Sequence, residues 1–153
     1  MALPGDTFGD RHSGLLEALR GIADPQARLS WVIDQSGRRG GVDPVVRSES
    51  NEIKGCASRL WLDAAFERGR CRFRSDSESA ILKAMTGLLC ELYDGLSPHE
   101  VMVGESGFLE RTGLLDSLTE NRRRSLGKVR AAMRAFAAER VDRVDGVDRD
   151  AIA

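Results

Sequence analysis

The sequence predicts an α+β fold in which a short three-stranded antiparallel sheet packs against N-terminal and C-terminal helices. In the middle of the chain, apolar and polar residues alternate with a period of two on both sides of Glu67-Arg68-Gly69, a pattern typical of a β-hairpin. Before and after this region, apolar residues recur at helical spacing. Because strands and helices occupy separate stretches of the chain, α+β is favoured over an alternating α/β arrangement.

Two helices are predicted before the sheet. The first covers residues 13–22, where leucines and an isoleucine recur at intervals of three and four residues. The second begins at Asp24-Pro25, with Asp24 as the N-cap and Pro25 at the first helical position. The glycine-rich stretch 36–41 ends it.

Three strands are predicted in succession. Residues 50–54 form the first candidate, and residues 59–66 alternate with an apolar face formed by Leu60, Leu62, Ala64 and Phe66. After the hairpin turn, the return strand 70–75 places Cys71 and Phe73 on its inner face and three arginines on the other. We therefore expect Cys71 to lie in the core.

Helices follow the sheet. From Asp76 onwards the apolar period changes to 3.6, with Ser75, Asp76 and Ser77 as candidate caps of a long helix that ends near Gly95. Short helical pieces are expected from Ser97 and within 108–118, and the last helix follows a cap at Thr119 or Asn121. Residues 141–153, in which isolated valines alternate with charges, are expected to be a disordered tail.

Composition excludes several classes of protein. The 153 residues carry 23 basic and 24 acidic side chains, a net charge of −1, whereas nucleic-acid binders usually have a basic excess. No apolar stretch is long enough to span a bilayer, and the start of the chain does not have the pattern of a secretory signal. We therefore expect a cytoplasmic protein with neither a nucleic-acid nor a membrane partner.

The cysteines and histidines give no metal-binding pattern. Cys56, Cys71 and Cys90 include no C-x-x-C pair, and the chain has only two histidines, His12 and His99, far apart in sequence. Three cysteines cannot all pair internally, and a reducing cytosol disfavours structural disulfides. We therefore expect no metal site.

Cys56 occupies an unusual position for a core cysteine. It follows Gly55 at a corner between two predicted strands, with Lys54, Ser58 and Arg59 around it. Gly55 allows the backbone to turn or move there, and the nearby cations favour the thiolate form. Four roles are open for Cys56 at this point. It is a buried structural cysteine, a metal ligand, a disulfide partner or a nucleophile, the last including a thiol enzyme with a histidine base.

The residues around this corner resemble the SufE family of sulfur acceptors. The resemblance rests on Gly55-Cys56-x-Ser58-x-x-Trp61, followed at the expected distance by Asp76, Ile81, Lys83 and Tyr93-Asp94, and on "LTENRRRSLGKVRAAMRAF" near the end of the chain. It implies a SufE-like domain over residues 1–140. The family's usual Lys-Gly in the long helix is Lys83-Ala84 here, which bears on the preference for a partner rather than on the fold.

The resemblance also implies a function. Cys56 would accept sulfur as a persulfide from a pyridoxal-phosphate cysteine desulfurase, SufS-like or CsdA-like, and pass it to an iron–sulfur scaffold. The residues that the resemblance implies as support for Cys56 are Lys54, Gly55, Ser58, Arg59, Trp61 and Arg122. The pyridoxal cofactor would belong to the desulfurase, so the chain would need no cofactor. It would then be an accessory protein with a transient persulfide rather than an independent enzyme. The alternatives are a docking module that activates its partner without carrying sulfur, and a sulfur carrier for another pathway such as tRNA modification.

The sequence also predicts how the thiol is held in the free protein. Cys56 lies beside the small Ala57 at the edge of a sheet whose inner face is apolar. We expect its side chain to rest inward against apolar side chains and to swing outward when a partner docks, with Gly55 as the hinge.

Overall fold

The computed structural model describes residues 7–39, 41–104, 108–141, 143–144 and 147–148. Its larger helices and strands are α1 (Phe8–Arg20), α2 (Pro25–Arg38), β1 (Leu60–Glu67), β2 (Arg70–Ser77), α3 (Ala80–Tyr93), α4 (Pro98–Gly104), α5 (Phe108–Thr112) and α6 (Glu120–Ala138). Short 3-10 turns lie at Pro44–Arg47, Glu49–Asn51 and Leu114–Ser117. The predicted α+β class, with helices on both sides of the strands in sequence, is confirmed.

The N-terminal helices begin at side-chain caps. The Asp24 carboxylate accepts the Ala27 N–H at 3.1 Å, and Pro25 occupies the first position of α2, as predicted. The first helix begins earlier than its apolar pattern indicates, because the Thr7 hydroxyl accepts the Asp10 N–H at 3.1 Å and so starts α1 at Phe8.

The prediction of a third strand at residues 50–54 is wrong. The central sheet has two antiparallel strands, β1 and β2, with Ala64 opposite Phe73. Residues Glu49–Asn51 form a 3-10 turn, and Glu52 makes only an isolated bridge with Trp61. The Asn51 side-chain amide donates to the Val46 carbonyl at 3.1 Å, so a short polar side chain holds the local backbone in a turn where a strand was expected.

The start of the long helix also differs from the prediction. Strand β2 continues to Ser77, so Asp76 and its neighbours are strand residues, and the N-cap is Ser79, whose hydroxyl accepts the Leu82 N–H at 3.3 Å. The Ser77 hydroxyl instead donates to the Arg59 carbonyl at 2.8 Å. The end of β2 is thereby tied to the segment that precedes β1.

Helix α3 forms the centre of the core. One side of it packs on the inner face of the sheet and the other on α2, and α6 packs across its flank. The side chains at the centre are fully or almost fully buried: Leu60, Cys71 and Phe73 from the sheet, Leu82, Met85, Leu88, Leu89 and Leu92 from α3, and Leu126, Val129 and Met133 from α6. The prediction that Cys71 is a core residue is confirmed.

The remaining expectations concern membrane-spanning segments and the C-terminal tail. In the described part of the chain, no helix combines the length and apolar character that crossing a bilayer requires. Beyond α6, the pairs Arg143–Val144 and Val147–Asp148 form a minimal antiparallel ladder, β3 and β4. The other residues after Val141 lie outside the described ones, so the disorder of the tail stays a prediction.

Candidate functional site

Cys56 lies at the tip of a loop with a firmly closed base. The Ile53 N–H donates to the Leu60 carbonyl at 2.8 Å, and the neighbouring Glu52–Trp61 bridge extends this closure by one residue pair. We call residues 53–60 the Cys56 loop. Its C-terminal arm is also bound to the end of β2, because the Glu78 N–H donates to the Arg59 carbonyl at 3.1 Å. The base therefore holds the loop at a fixed position on the sheet.

Gly55 makes the turn that presents the cysteine. Its φ is +80°, a left-handed conformation that residues with a Cβ adopt at a cost. A Cβ built at this position would lie 2.5 Å from Lys128 Nζ, so the space beside the turn is also occupied. The left-handed backbone therefore favours glycine immediately before Cys56, and a side chain there would also displace the Lys128 ammonium.

The three cysteines differ sharply in environment. Cys56 is half-buried and packs against the edge of the core, whereas Cys71 and Cys90 are buried. Burial raises the pKa of the Cys71 thiol to about 11 and that of the Cys90 thiol to about 12. These two thiols are therefore protonated at neutral pH and enclosed, which leaves Cys56 as the most exposed of the three.

The two cations predicted to flank the thiol are directed to a carboxylate. Lys54 Nζ and Arg59 Nη2 each lie 3.2 Å from Glu52 Oε1. Hydrogen bonds from Arg59 and Lys54 lower the pKa of Glu52. Glu52 thus joins Lys54 of the loop tip and Arg59 of the C-terminal arm to the base of the loop. Its negative charge partly compensates the positive charge of these two residues near Cys56.

Trp61 supports the base of the loop. Its side chain is buried, and the guanidinium carbons of Arg47 and Arg59 lie 4.6 and 4.8 Å from its ring, within cation–π range. Arg47 is held in turn by Asp76, with Nε 2.7 Å from Oδ2. Ser58 lies half-buried in the loop. The structure therefore places Lys54, Gly55, Ser58, Arg59 and Trp61 in one region around Cys56.

Arg122 lies apart from this group in its contacts. It occupies the first turn of α6, where its backbone N–H donates to the capping Thr119 hydroxyl at 3.3 Å. The residue of α6 that reaches the loop is Lys128, whose ammonium donates to the carbonyls of Lys54 and Gly55 at 3.0 Å each. It lies about 9 Å further along the helix than Arg122. Sequence reasoning missed Lys128, because a lysine on a charged helix gives no signal of a contact 73 residues away.

Asp76 and Asp94, the two acidic residues of the SufE-like motif, each bind neighbouring basic side chains and backbone N–H groups. Burial alone would raise the pKa of Asp76, but the Arg47 hydrogen bond, the Ser77 N–H at 2.8 Å and the charge of Lys83 outweigh it and hold that pKa below its usual value. Asp94 binds Arg72 through both oxygens and accepts the Phe73 N–H at 2.9 Å, which ties β2 to the end of α3. Both carboxylates therefore fix the frame around the loop.

Comparison with known proteins assigns the family. The model of the SufE family, described as the Fe-S metabolism associated domain, matches residues 13–137. The chain therefore belongs to the SufE family, as its motifs predicted. The matched segment includes the Cys56 loop, the sheet, α3 and Lys128 on α6.

Individual relatives differ in overall size. A chloroplastic quinolinate synthase of Arabidopsis thaliana is 35% identical over 89 residues, 58% of this chain and 12% of the synthase. The chloroplastic SufE-like protein 2 of the same plant is 29% identical over 99 residues, 64% of this chain and 38% of that protein. An uncharacterised SufE-like protein of Synechocystis is 27% identical over 108 residues, 71% of this chain and 68% of that protein. The chain thus spans well under half the length of the first two relatives.

A solved structure shares the fold. The solution structure of a hypothetical protein from Thermus thermophilus superposes with a TM-score of 0.69 at 23% identity, covering 85% of this chain and 95% of that one. At this level of identity the match supports the fold alone.

Proposed function

We propose that this SufE-family protein accepts sulfur from a pyridoxal-phosphate cysteine desulfurase, carries it as a persulfide on Cys56 and passes it to an iron–sulfur scaffold. The observation that carries the proposal is the contrast among its thiols. Two are enclosed in the core, and the third lies at the tip of a loop that is fixed at its base. Membership of a family associated with Fe–S metabolism supports the pathway.

The transfer is a thiol exchange that needs no oxidant or reductant. The Cys56 thiolate attacks the terminal sulfur of the desulfurase persulfide, a new S–S bond forms on Cys56, and the desulfurase S–S bond breaks. The departing desulfurase thiolate takes up the proton that Cys56 lost, so the transferred sulfur keeps its oxidation state. The pyridoxal cofactor that generates this sulfur belongs to the desulfurase.

The resting position of Cys56 supports a partner-dependent reaction. The half-buried thiol lies against the edge of the core, where small oxidants and reductants reach it less readily than on an open surface. Docking of the desulfurase moves the loop outward, with Gly55 as the hinge, and brings the thiol to the donor sulfur. The partner is then both the sulfur donor and the trigger of loop opening.

Mass spectrometry of Cys56 tests sulfur transfer directly. After incubation with a cysteine desulfurase and cysteine, the peptide that contains Cys56 is expected to gain one sulfur atom, removed again by a thiol reductant. The matched control is Cys56→Ser, which should gain no sulfur and should no longer stimulate the desulfurase, with an unchanged melting temperature. A Cys56→Ser protein that stimulates the desulfurase normally would rule out transfer and favour the docking module.

A further inference from the structure

A side chain from the last helix contacts the backbone at the tip of the Cys56 loop. Lys128 on α6 donates to the carbonyls of Lys54 and Gly55 at 3.0 Å each. In the described part of the chain, it is the only side chain that hydrogen-bonds the backbone between Lys54 and Ser58. The other backbone bonds of the loop hold its base, at Ile53, Arg59 and Leu60. Among the described residues, the side chains of Lys54 and Arg59 bond Glu52 and leave the backbone around Cys56 without a further hydrogen bond.

The position of these carbonyls matters for movement of the cysteine. The Gly55 carbonyl belongs to the peptide group that joins Gly55 to Cys56, so an outward swing hinged at Gly55 displaces this oxygen and breaks its bond to Lys128. Hydrogen bonds from a charged donor are stronger than those between neutral groups. The ammonium therefore stabilises the inward conformation specifically and does not hold the open one.

Gly55 and Lys128 depend on each other. A Cβ at residue 55 would lie 2.5 Å from Nζ, so the ammonium could not keep its present position beside a residue with a side chain. The glycine thus has two functions at this site, allowing the left-handed backbone and admitting the lysine. The two residues form a single device although 73 residues separate them.

We propose that Lys128 is a positioning residue that latches the Cys56 loop in its inward conformation. Neither of its two acceptors is a carboxylate, so a carboxylate on the surface of a docking desulfurase can compete for the ammonium and release the loop. The release of the loop by a desulfurase rests on the proposed function. The latch itself does not, because it is a property of the free protein.

The alkylation rate of Cys56 in the free protein measures the latch. When the loop opens and closes quickly, the rate of reaction with a small thiol reagent follows the open population. Lys128→Ala keeps a strong helix former at a half-buried position, and it is expected to increase the Cys56 rate by about three- to tenfold, the effect of losing charged hydrogen bonds at a partly solvated site. Peptide mapping by mass spectrometry follows each cysteine separately.

Three controls separate a latch from a general loss of stability. Arg124→Ala removes a cation from the same helix that binds only Glu120 and Asn121 among the described residues, and it should leave the Cys56 rate unchanged. Cys71 and Cys90, both buried, serve as internal reporters of global opening and should stay unreactive in Lys128→Ala. An equal acceleration of all three cysteines would overturn the latch, as would a Cys56 rate no higher than that of Arg124→Ala.

A double substitution tests the dependence of the two residues. Gly55→Ala alone should accelerate Cys56 because the new Cβ displaces the ammonium and strains the turn. Adding Lys128→Ala to Gly55→Ala should then change the rate by less than about twofold, since the latch is already broken. If Lys128→Ala has the same effect in both backgrounds, the coupling through Gly55 is wrong.

Persulfide formation on the wild-type protein keeps the two proposals distinguishable. Alkylation of the free protein reports the latch whether or not Cys56 accepts sulfur. The mass gained on Cys56 after incubation with a desulfurase reports transfer whether or not Lys128 holds the loop.

Discussion

Three thiols of identical intrinsic chemistry acquire different properties from their surroundings in this protein. Cys71 and Cys90 face the core, where desolvation raises their pKa values to about 11 and about 12. Cys56 lies outside this enclosure because the preceding Gly55 turns the chain, and the loop tip has a polar attachment to Lys128 rather than a fully apolar seat. The proposed reactivity of Cys56 therefore depends on backbone geometry rather than on a neighbouring acid or base.

Replacing Cys71 should cost stability and leave transfer intact. The Cys71 side chain is fully buried on the inner face of the sheet, so Cys71→Ser introduces a hydroxyl that loses its water partners. We expect a loss of about 1–3 kcal/mol, which lowers the melting temperature of a chain of this size by roughly 3–10 °C. Thermal unfolding followed by circular dichroism measures it.

Cys90→Ser is the matched control for this prediction. The Cys90 thiol already donates to the Ser75 hydroxyl at 3.4 Å, so a serine there keeps an acceptor and should be tolerated better. Equal losses in the two variants would mean that the hydroxyl at position 71 finds a partner, contrary to its apolar surroundings.

Asp76 should make the free energy of unfolding decrease as the pH falls through the acidic range. Its pKa is lowered in the folded state, so its contribution is complete above the unfolded value of about 4 and is lost as pH falls through the lower folded value. Asp76→Asn weakens the bonds to Arg47 and Ser77 and should cost about 1–3 kcal/mol at pH 7. Denaturant unfolding of both proteins should show this gap closing below about pH 4. A gap that is constant with pH would show that the Asp76 charge has no part in it.

At the residue scale, the sequence predicts the role of Cys56 but not that of Lys128. A glycine–cysteine pair at a corner is a local signal, and the SufE motif around it can be identified directly. The Lys128 contact depends on how α6 crosses the sheet, and a lysine next to Gly127 on a charged helix has the same local pattern as a solvated one. Contacts of this kind arise from tertiary packing and leave no periodicity.

At the scale of elements, long periodic segments were predicted well and short polar ones were not. Helices α2, α3 and α6 follow their apolar stripes, and the hairpin turns at Arg68-Gly69, both with positive φ. The 50–54 segment forms a turn and a single bridge because Ser50 and Asn51 make local hydrogen bonds, to Ser48 and to the Val46 carbonyl. That loss of a strand lets the chain form the Cys56 loop, since only the base needs pairing with β1.

The cap of α3 provides a prediction at this scale. Ser79 accepts the Leu82 N–H at 3.3 Å, so Ser79→Ala should destabilise the protein by about 1 kcal/mol, the typical value of an N-cap. Glu78→Ala, at an exposed neighbouring position, should change stability by no more than about 0.5 kcal/mol. Chemical denaturation distinguishes them, and a larger loss for Glu78→Ala would contradict the assignment of Ser79 as the cap.

At the scale of the whole molecule, one helix links the core to the site. Helix α6 buries Leu126, Val129 and Met133 in the core and extends Lys128 to the loop. The same rigid element therefore sets both the packing of the domain and the resting position of the thiol. The family match ends at residue 137, within the last turn of this helix.

The extent of the functional unit can be tested by removing the tail. Arg140 lies over the Phe136 ring, with its guanidinium carbon 3.6 Å from the centroid, so the cut is placed after Val141 to retain this contact. Residues 142–153 alternate charges with isolated valines, a composition that buries little apolar surface. We expect the shortened protein to melt within about 2 °C of the full chain and to gain sulfur on Cys56 at the same rate. The control is a cut after Phe136, which removes the buried Ala137 and the Arg140 contact with the Phe136 ring and should lower the melting temperature further. If both cuts destabilise the protein equally, residues beyond Val141 dock on the body and belong to the domain.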